Sequence, residues 1–225
     1  MSFIVAIDGP AGSGKGAITE IISKELNLIN ISSGGAYRSV ALLAIRNKLD
    51  INKKEEILQV LKKSKIEFKN ENGNDLIYLN GEDVTNRIRE KDVTSIVSQV
   101  SAIKEIRFML NDMFRDYAKN RNVVMEGRDI GTYVFPNADV KLYVDASEEI
   151  RAKRRLKQNE ELGINMTYEE VLENIKTRDK NDKEKEIGAL KQAEDAIYIN
   201  SDGMTVREEA DVAIKEIKKK LNNNK

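Results

Sequence analysis

The chain has 225 residues, of which 40% are apolar and 34% charged, with 38 Lys and Arg matching 38 Asp and Glu. That length suits one large α/β domain with insertions, and a formal net charge of zero leaves no basic excess of the kind that marks a nucleic-acid or anionic-membrane partner. With no Cys and no His, disulfides, thiol nucleophiles, zinc sites and Ser-His-Asp triads are excluded, so any chemistry rests on carboxylates, Lys, Arg, hydroxyls and backbone.

The first apolar run, Phe3 to Ile7, predicts a short buried strand. It is too short for a signal peptide and lacks a basic lead-in, and no stretch approaches the ~20 apolar residues of a membrane span. The expectation is a soluble cytoplasmic protein. "IDGPAGSGKGAIT" follows, with a helix expected from about Lys15 through "AITEIISKEL". "LINIS" reads as a second strand, and "GAYRSVALLAIRNKL" and "KKEEILQVLKKS" have helical spacing. "KIEFKNENGNDLIYLNGEDVT" then alternates apolar and polar residues around Asn72-Gly73 and Asn80-Gly81, which predicts a small antiparallel β insertion with hairpin turns.

Helical pattern returns across "VTSIVSQVSAIKEIRFMLNDMFRDYAK". "NVVMEG" and "VKLYVDA" read as buried parallel strands, and "RDIGTYVFPNAD" between them as mostly loop. Two charged helices, "SEEIRAKRRLKQNEELG" and "TYEEVLENIKTRDKND", are separated at "GINM". "AIYINS" is a last strand, and "TVREEADVAIKEIKKKL" a closing helix opened by a Thr205–Glu208 capping box, with a fraying "NNNK" tail. Strands alternating with helices predict a parallel doubly wound sheet whose ligands lie at the strands' carboxyl ends. "IDGPAGSGKG", "ISSGGAYR" and "MEGRD" all sit at such ends.

Gly9 to Lys15 fits the phosphate-loop spacing G-x-x-x-x-G-K. Gly9, Gly12 and Gly14 permit tight turns that aim backbone N–H groups and a helix N-terminus at phosphate, and Lys15 would reach the β- and γ-phosphates. Gly16 and Ala17 follow where a Mg²⁺-facing hydroxyl is usual. Arg38 and Arg128 follow strand ends beside this loop, whereas a lone Arg on a charged helix is more often a solvated face. Several guanidiniums around two phosphate groups suit phosphoryl transfer, which needs charge neutralisation and alignment more than a base. Glu126 and Asp129 flank Gly127-Arg128, where a carboxylate can orient Mg²⁺ waters, bind a nucleobase or ribose donor, or cap a helix.

"IDGPAGSGKG", "SGGAYR", "EGRDIGT", "VFPNADVKLYVDAS", "RAKRR" and "RDKND", in this order and spacing, resemble the bacterial cytidylate kinases over nearly the whole chain. The β-containing insertion after "AYR" is also closer to those enzymes than to the shorter eukaryotic UMP/CMP kinases. The resemblance implies transfer of the ATP γ-phosphate to CMP or dCMP with Mg²⁺. It implies a P-loop NTPase-type α/β fold: a parallel five-stranded sheet core (1–36, 88–147 and 169–225), a β-containing monophosphate-binding insertion (37–87) and a small helical lid (148–168).

By matching position, the resemblance assigns Gly9, Pro10, Ala11, Gly12, Ser13, Gly14, Lys15, Gly16 and Ala17 to ATP phosphates. It assigns Ser33, Arg38 and Arg128 to CMP, and Ser98, Arg107 and Asp129 to cytosine. Arg178 and Asp182 match ribose contacts, and Arg154 and Arg155 match lid arginines that join Lys15 and Arg128 at the transferring phosphoryl group. Mg²⁺ is expected on phosphate oxygens and waters, with no direct protein ligand.

Three positions depart from the family pattern: Ala17 for Thr or Ser, Ser32 for Asp or Thr, and Lys185 for Arg. A Lys cannot reproduce a planar bidentate contact. Two other readings compete: a P-loop kinase for another small acceptor (AMP, UMP or shikimate), and a regulatory GTPase suggested by the N-K-x-D match Asn47 to Asp50, which here ends an early helix instead of following a late strand. A monomer is expected, acting on small molecules, with no nucleic-acid or membrane partner.

Overall fold

The computed structural model describes residues 2–71, 74–161 and 163–223. In chain order the elements are β1 (Ile4–Asp8), α1 (Lys15–Leu26), β2 (Ile29–Ser32), α2 (Ser33–Arg46), α3 (Lys54–Lys62), β3 (Ile66–Glu71), β4 (Asn74–Leu79), β5 (Glu82–Asp83), α4 (Lys91–Ala102), α5 (Lys104–Ala118), β6 (Val123–Gly127), β7 (Val140–Asp145), α6 (Glu148–Glu161), α7 (Tyr168–Lys183), β8 (Ile197–Asn200) and α8 (Val206–Asn223). The main sheet has five strands in the order β2-β6-β1-β7-β8, and β3-β4-β5 form a separate antiparallel sheet. β1 runs parallel to β7 from Val5 opposite Val140 to Asp8 opposite Tyr143, and β7 runs parallel to β8.

The chain divides into two compact units. One comprises Met1–Ser2 and Ile29–Val123. Its helices α2 to α5 and three-stranded sheet enclose buried Leu42, Ile57, Phe68, Leu79, Ile88, Ile106, Leu110 and Phe114. The Phe68 and Phe114 rings lie with centroids 6.3 Å apart, and the Tyr117 hydroxyl donates to the Phe68 carbonyl. Asn80 and Gly81 have φ of 53° and 84°, the two left-handed residues of the expected hairpin turn. The other expected turn, Asn72-Gly73, lies outside the described residues.

The second unit comprises Phe3–Leu28 and Val124–Lys225. Val5, Ile7, Val124, Leu142, Val144 and Ile199 of its strands pack with Ile18, Ile22, Ala213 and Ile217 of α1 and α8. Strands β1 and β7 are buried along nearly their whole length; β1 is apolar up to Asp8, while β7 contains Lys141, which pairs with Asp195 (2.9 Å). Ala152, Val171 and Ile175 make a smaller cluster that joins α6 to α7.

One expectation needs correction and another gains detail. The helical run from Val93 is broken at Ile103, whose ψ of 111° is extended, so α4 and α5 are separate helices with no Gly or Pro to mark the break. "RDIGTYVFPNAD" is mostly loop as expected, but Ile130–Val134 within it forms a π-helical turn, closed by Val134 N–H to the Asp129 carbonyl (3.1 Å) and Phe135 N–H to the Ile130 carbonyl (2.7 Å). One such turn is too short to leave a periodic pattern. The Thr205–Glu208 box forms as expected, and Thr167 with Glu170 makes a second one that opens α7.

Phe114→Ala is expected to remove about 3–5 kcal/mol of stability through the cavity it leaves. Urea unfolding checks this as a lowered midpoint with an unchanged slope.

Candidate active site

The phosphate loop joins the last residue of β1 to the first of α1. Its three glycines at positions 9, 12 and 14 have φ of 151°, 80° and 91°, a region closed to most side chains. A Cβ on Gly9 would stand 1.9 Å from the Val144 carbonyl oxygen, and one on Gly14 would stand 2.9 Å from Glu209 Oε2. Gly14 is the N-cap of α1, with no side-chain cap and no acidic residue in the first turn, so nothing in that turn offsets the positive end of the helix dipole.

Lys15 is only 4% exposed. Its ammonium donates to the Pro10 carbonyl (2.6 Å) and Ser13 Oγ (3.1 Å). Burial and the charge of Arg128 push it well below the usual lysine range; Glu126 and Asp8 oppose this, and Arg178 adds to it. Arg178 keeps solvent contact, yet lost hydration on its protein-facing side and then Arg128 push it down as well. Lys15, Arg128 and Arg178 therefore repel one another beside a helix N-terminus, an arrangement that favours a polyanion.

Asp182 answers part of this charge. It accepts from Arg128 Nε (2.8 Å) and from the Lys185 ammonium (2.7 Å). Burial alone would raise its carboxyl, but those two cations outweigh burial and hold it below the usual range. Lys185 thus acts as a point charge on Asp182.

Arg154 donates to Glu209 Oε1 (2.7 Å), Ser201 Oγ (3.1 Å) and the Ser201 carbonyl (3.0 Å), so it ties α6 to the β8–α8 connection. Arg155 is exposed and bonds Gln158 on its own helix (2.7 Å). In the other unit, Ser33 starts α2 and Ser32 caps it, accepting from the Gly35 N–H (3.1 Å). Arg38 lies one turn along α2, with its guanidinium alongside Gly34. Arg107 is buried on α5 with its guanidinium 5.9 Å from the Tyr37 ring centroid, and Ser98 is exposed on α4.

Asn47 and Asp50 of the N-K-x-D match serve a turn. Asn47 Nδ2 donates to the Leu43 carbonyl (2.9 Å), and Asp50 Oδ1 accepts from Asn52 N–H (2.9 Å).

Three residues escaped the sequence reading. Asp8 accepts from Ile130 N–H (2.8 Å) and Gly131 N–H (2.7 Å). Arg151 is buried, donating to the Ala11 carbonyl (3.0 Å) and pairing with Asp179 (2.6 Å). Glu209 is fully buried beneath Gly14. Only the repeated arginines of "RAKRR" hinted at one of them.

A family model described as Cytidylate kinase matches residues 5–219. The chain belongs to the cytidylate kinase family. It is 44% identical over 204 residues to a cytidylate kinase of Caldicellulosiruptor saccharolyticus, covering 91% of this chain and 90% of that protein. A cytidylate kinase of Lactobacillus gasseri is 43% identical over 91% of this chain and 89% of its own length. A solved structure of an uncharacterized protein from Eubacterium ventriosum shares the fold, with a TM-score of 0.54 at 15% identity over 97% of this chain and 99% of that one. Among the described residues no helix is long and apolar enough to cross a membrane.

In this cytidylate kinase family member, burial pushes the Asp8 carboxyl up to about 6 against the lowering effect of its two N–H partners, with Asp129 raising it further and Lys15 lowering it. The folded value lies above the ordinary 3.8, so Asp8 contributes stability at low pH that is lost as pH rises through 4 to 6. A carboxyl titrating near 6 is expected in ¹³C NMR of the ligand-free protein and absent from Asp8→Asn. The wild-type melting temperature, measured relative to that variant, should fall across the same interval.

Proposed function

We propose that this protein transfers the γ-phosphate of ATP to CMP or dCMP, giving ADP and CDP or dCDP. Family membership supports the reaction class. The observation that carries the reading is the buried Lys15 ammonium, depressed by its surroundings and set beside Arg128 and Arg178 at the uncapped N-terminus of α1. Phosphate oxygens at the loop would relieve that repulsion, and the cations then stabilise the charge that spreads over the transferring group. The acceptor phosphate is already anionic, so a chain without His lacks no necessary base.

In this reading Gly9 to Ala17 hold the ATP phosphates, Ser33, Arg38 and Arg128 hold the CMP phosphate, and Arg178 and Asp182 serve the ribose. Arg154 and Arg155 join Lys15 and Arg128 at the transferring group. The division into core (1–36, 88–147 and 169–225), monophosphate-binding insertion (37–87) and lid (148–168) belongs to the same proposal. So do a monomeric state, a place in the cytoplasm and a role in pyrimidine nucleotide metabolism.

The residues present suit a cation carried on phosphates. Ala17 has no hydroxyl, the Thr19 hydroxyl donates to the Lys15 carbonyl (2.6 Å), and no cluster of three acidic side chains suited to a metal occurs among the described residues. Mg²⁺ keeps several waters in such sites, and a carboxylate such as Glu126 would hold those waters. When bound, Mg²⁺ supplies charge neutralisation on the polyphosphate.

Cytosine presents a 4-amino donor with N3 and O2 acceptors. An ionised Asp129 accepts only and suits the amine; Arg107 donates only and suits O2 or N3; Ser98 does either. Uracil would set a carbonyl against Asp129 and leave a desolvated group unpaired, at a cost of about 1–3 kcal/mol.

Coupled measurement of ADP release should give turnover with CMP and dCMP, less with UMP; release with AMP or shikimate and none with CMP would overturn the assignment. Lys15→Ala should keep the fold and lose at least about 10²-fold in kcat. Asp129→Ala should lower kcat/KM for CMP much more than for UMP at saturating ATP. An equal loss for both acceptors would move Asp129 to the phosphate or metal side.

A further inference from the structure

We propose that Asp8 is a positioning residue, whose carboxylate caps the turn after Arg128-Asp129 and fixes that pair against the strand that starts the phosphate loop. The inference rests on the phosphotransferase reading above.

The π-helical turn at Ile130–Val134 begins with N–H groups that no carbonyl of the turn can accept, as at any helix start. The turn's own bonds begin with Tyr133 N–H to the Asp129 carbonyl (2.8 Å). Asp129 occupies the N-cap position, yet its side chain makes no capping bond. The cap comes instead from Asp8, 122 and 123 residues away in sequence, with one oxygen on each of the Ile130 and Gly131 N–H groups. Gly131 admits this approach: a Cβ there would lie 3.4 Å from Asp8 Oδ2 and 3.1 Å from the Lys141 stem.

Asp8 is also the last residue of β1, placed by its parallel pairing with Tyr143 of β7, and the next residue is Gly9. One side chain therefore joins the root of the phosphate loop to the backbone that carries Arg128 and Asp129. A buried carboxylate is an expensive cap, since Ser or Asn would offer these N–H groups a single acceptor oxygen without burying a charge. Its rigid two-oxygen grip on consecutive amides holds orientation as well as satisfying donors. Arg128 in turn carries the bond to Asp182, so a tilt of this turn would disturb the cations around Lys15 and Asp129 together.

The test is Asp8→Asn in the full-length chain, which keeps shape and turns an amide toward one of the two N–H groups. Expected are a ~10- to 100-fold fall in kcat/KM for CMP, a KM for ATP within about threefold of wild type, and a retained cooperative melt. Positioning of the pair further requires partial non-additivity: introduced into Asp129→Ala, Asp8→Asn should cost clearly less than it does in the wild-type background, the remainder being the loss through Arg128. Wild-type kinetics in Asp8→Asn, or an equal loss of CMP activity in both backgrounds, would overturn the role. An Asp8→Asn chain without a cooperative melt would make the bond a requirement of the fold and overturn it too. Hydrogen exchange on the wild-type protein is independent of any variant: Ile130 and Gly131 amides exchanging as freely as an open loop would remove the clamp. Wild-type ADP release with CMP is the control; its absence refutes the functional reading, while its presence with an unaffected Asp8→Asn refutes only this inference.

Discussion

A lysine ammonium withdrawn from water at the start of α1 sets the conditions for the residues around it. Burial disfavours its charge, the helix end is itself positive, and Arg128 and Arg178 add repulsion. Such a group persists only if the backbone is fixed tightly enough to hold it there. The loop's left-handed glycines, the close approach of the Val144 carbonyl to Gly9 and the Lys15 bonds to Pro10 and Ser13 are the means. Two arginines of α6 brace the same region without touching Lys15. Arg151 holds the Ala11 carbonyl and is neutralised by buried Asp179, and Arg154 is neutralised by Glu209 beneath Gly14.

The carboxylates of this unit differ in their surroundings. Asp182 sits between Arg128 and Lys185 and is held ionised by both. Asp8 and Glu209 are more deeply buried, and burial raises both carboxyls. Asp8 compensates with two backbone N–H groups, Glu209 with Arg154. Lys185 acts on Asp182 as a point charge, which needs no planarity.

Much of this was legible in the sequence because it was local. A glycine-rich run ending in Lys, set between an apolar strand and a helix, has the spacing a phosphate loop needs, and alternating strands and helices imply the parallel sheet. The Thr205 box and the Asn80-Gly81 turn are signalled within four residues, and both formed. Asp8, Arg151 and Glu209 were not legible because their partners lie far along the chain, and a lone Asp at a strand end or Glu on a helix looks like solvated surface. The break at Ile103 carries no Gly or Pro, and the π-helical turn is a single turn. Arg154 was read from resemblance alone, and its bonds to Glu209 and Ser201 depend on α8 and the end of β8, some fifty residues away.

The opposite shifts of Lys15 and Asp8 have one cause and different consequences. Burial works against both charges, downward for the ammonium and upward for the carboxyl. In the proposed reading a polyphosphate at the loop would bring negative charge to Lys15 and favour its protonated form, so the free energy withheld by burial would return as affinity for the anion. For Asp8 the same charge would be unfavourable, and the Ile130 and Gly131 N–H groups and Lys15 are what lower its carboxyl against burial. The loop's cation and the turn's cap are therefore coupled electrostatically as well as through the backbone between them. In the proposed reading, phosphate binding at Lys15 and the hold on the Arg128-Asp129 segment are two aspects of one charge arrangement.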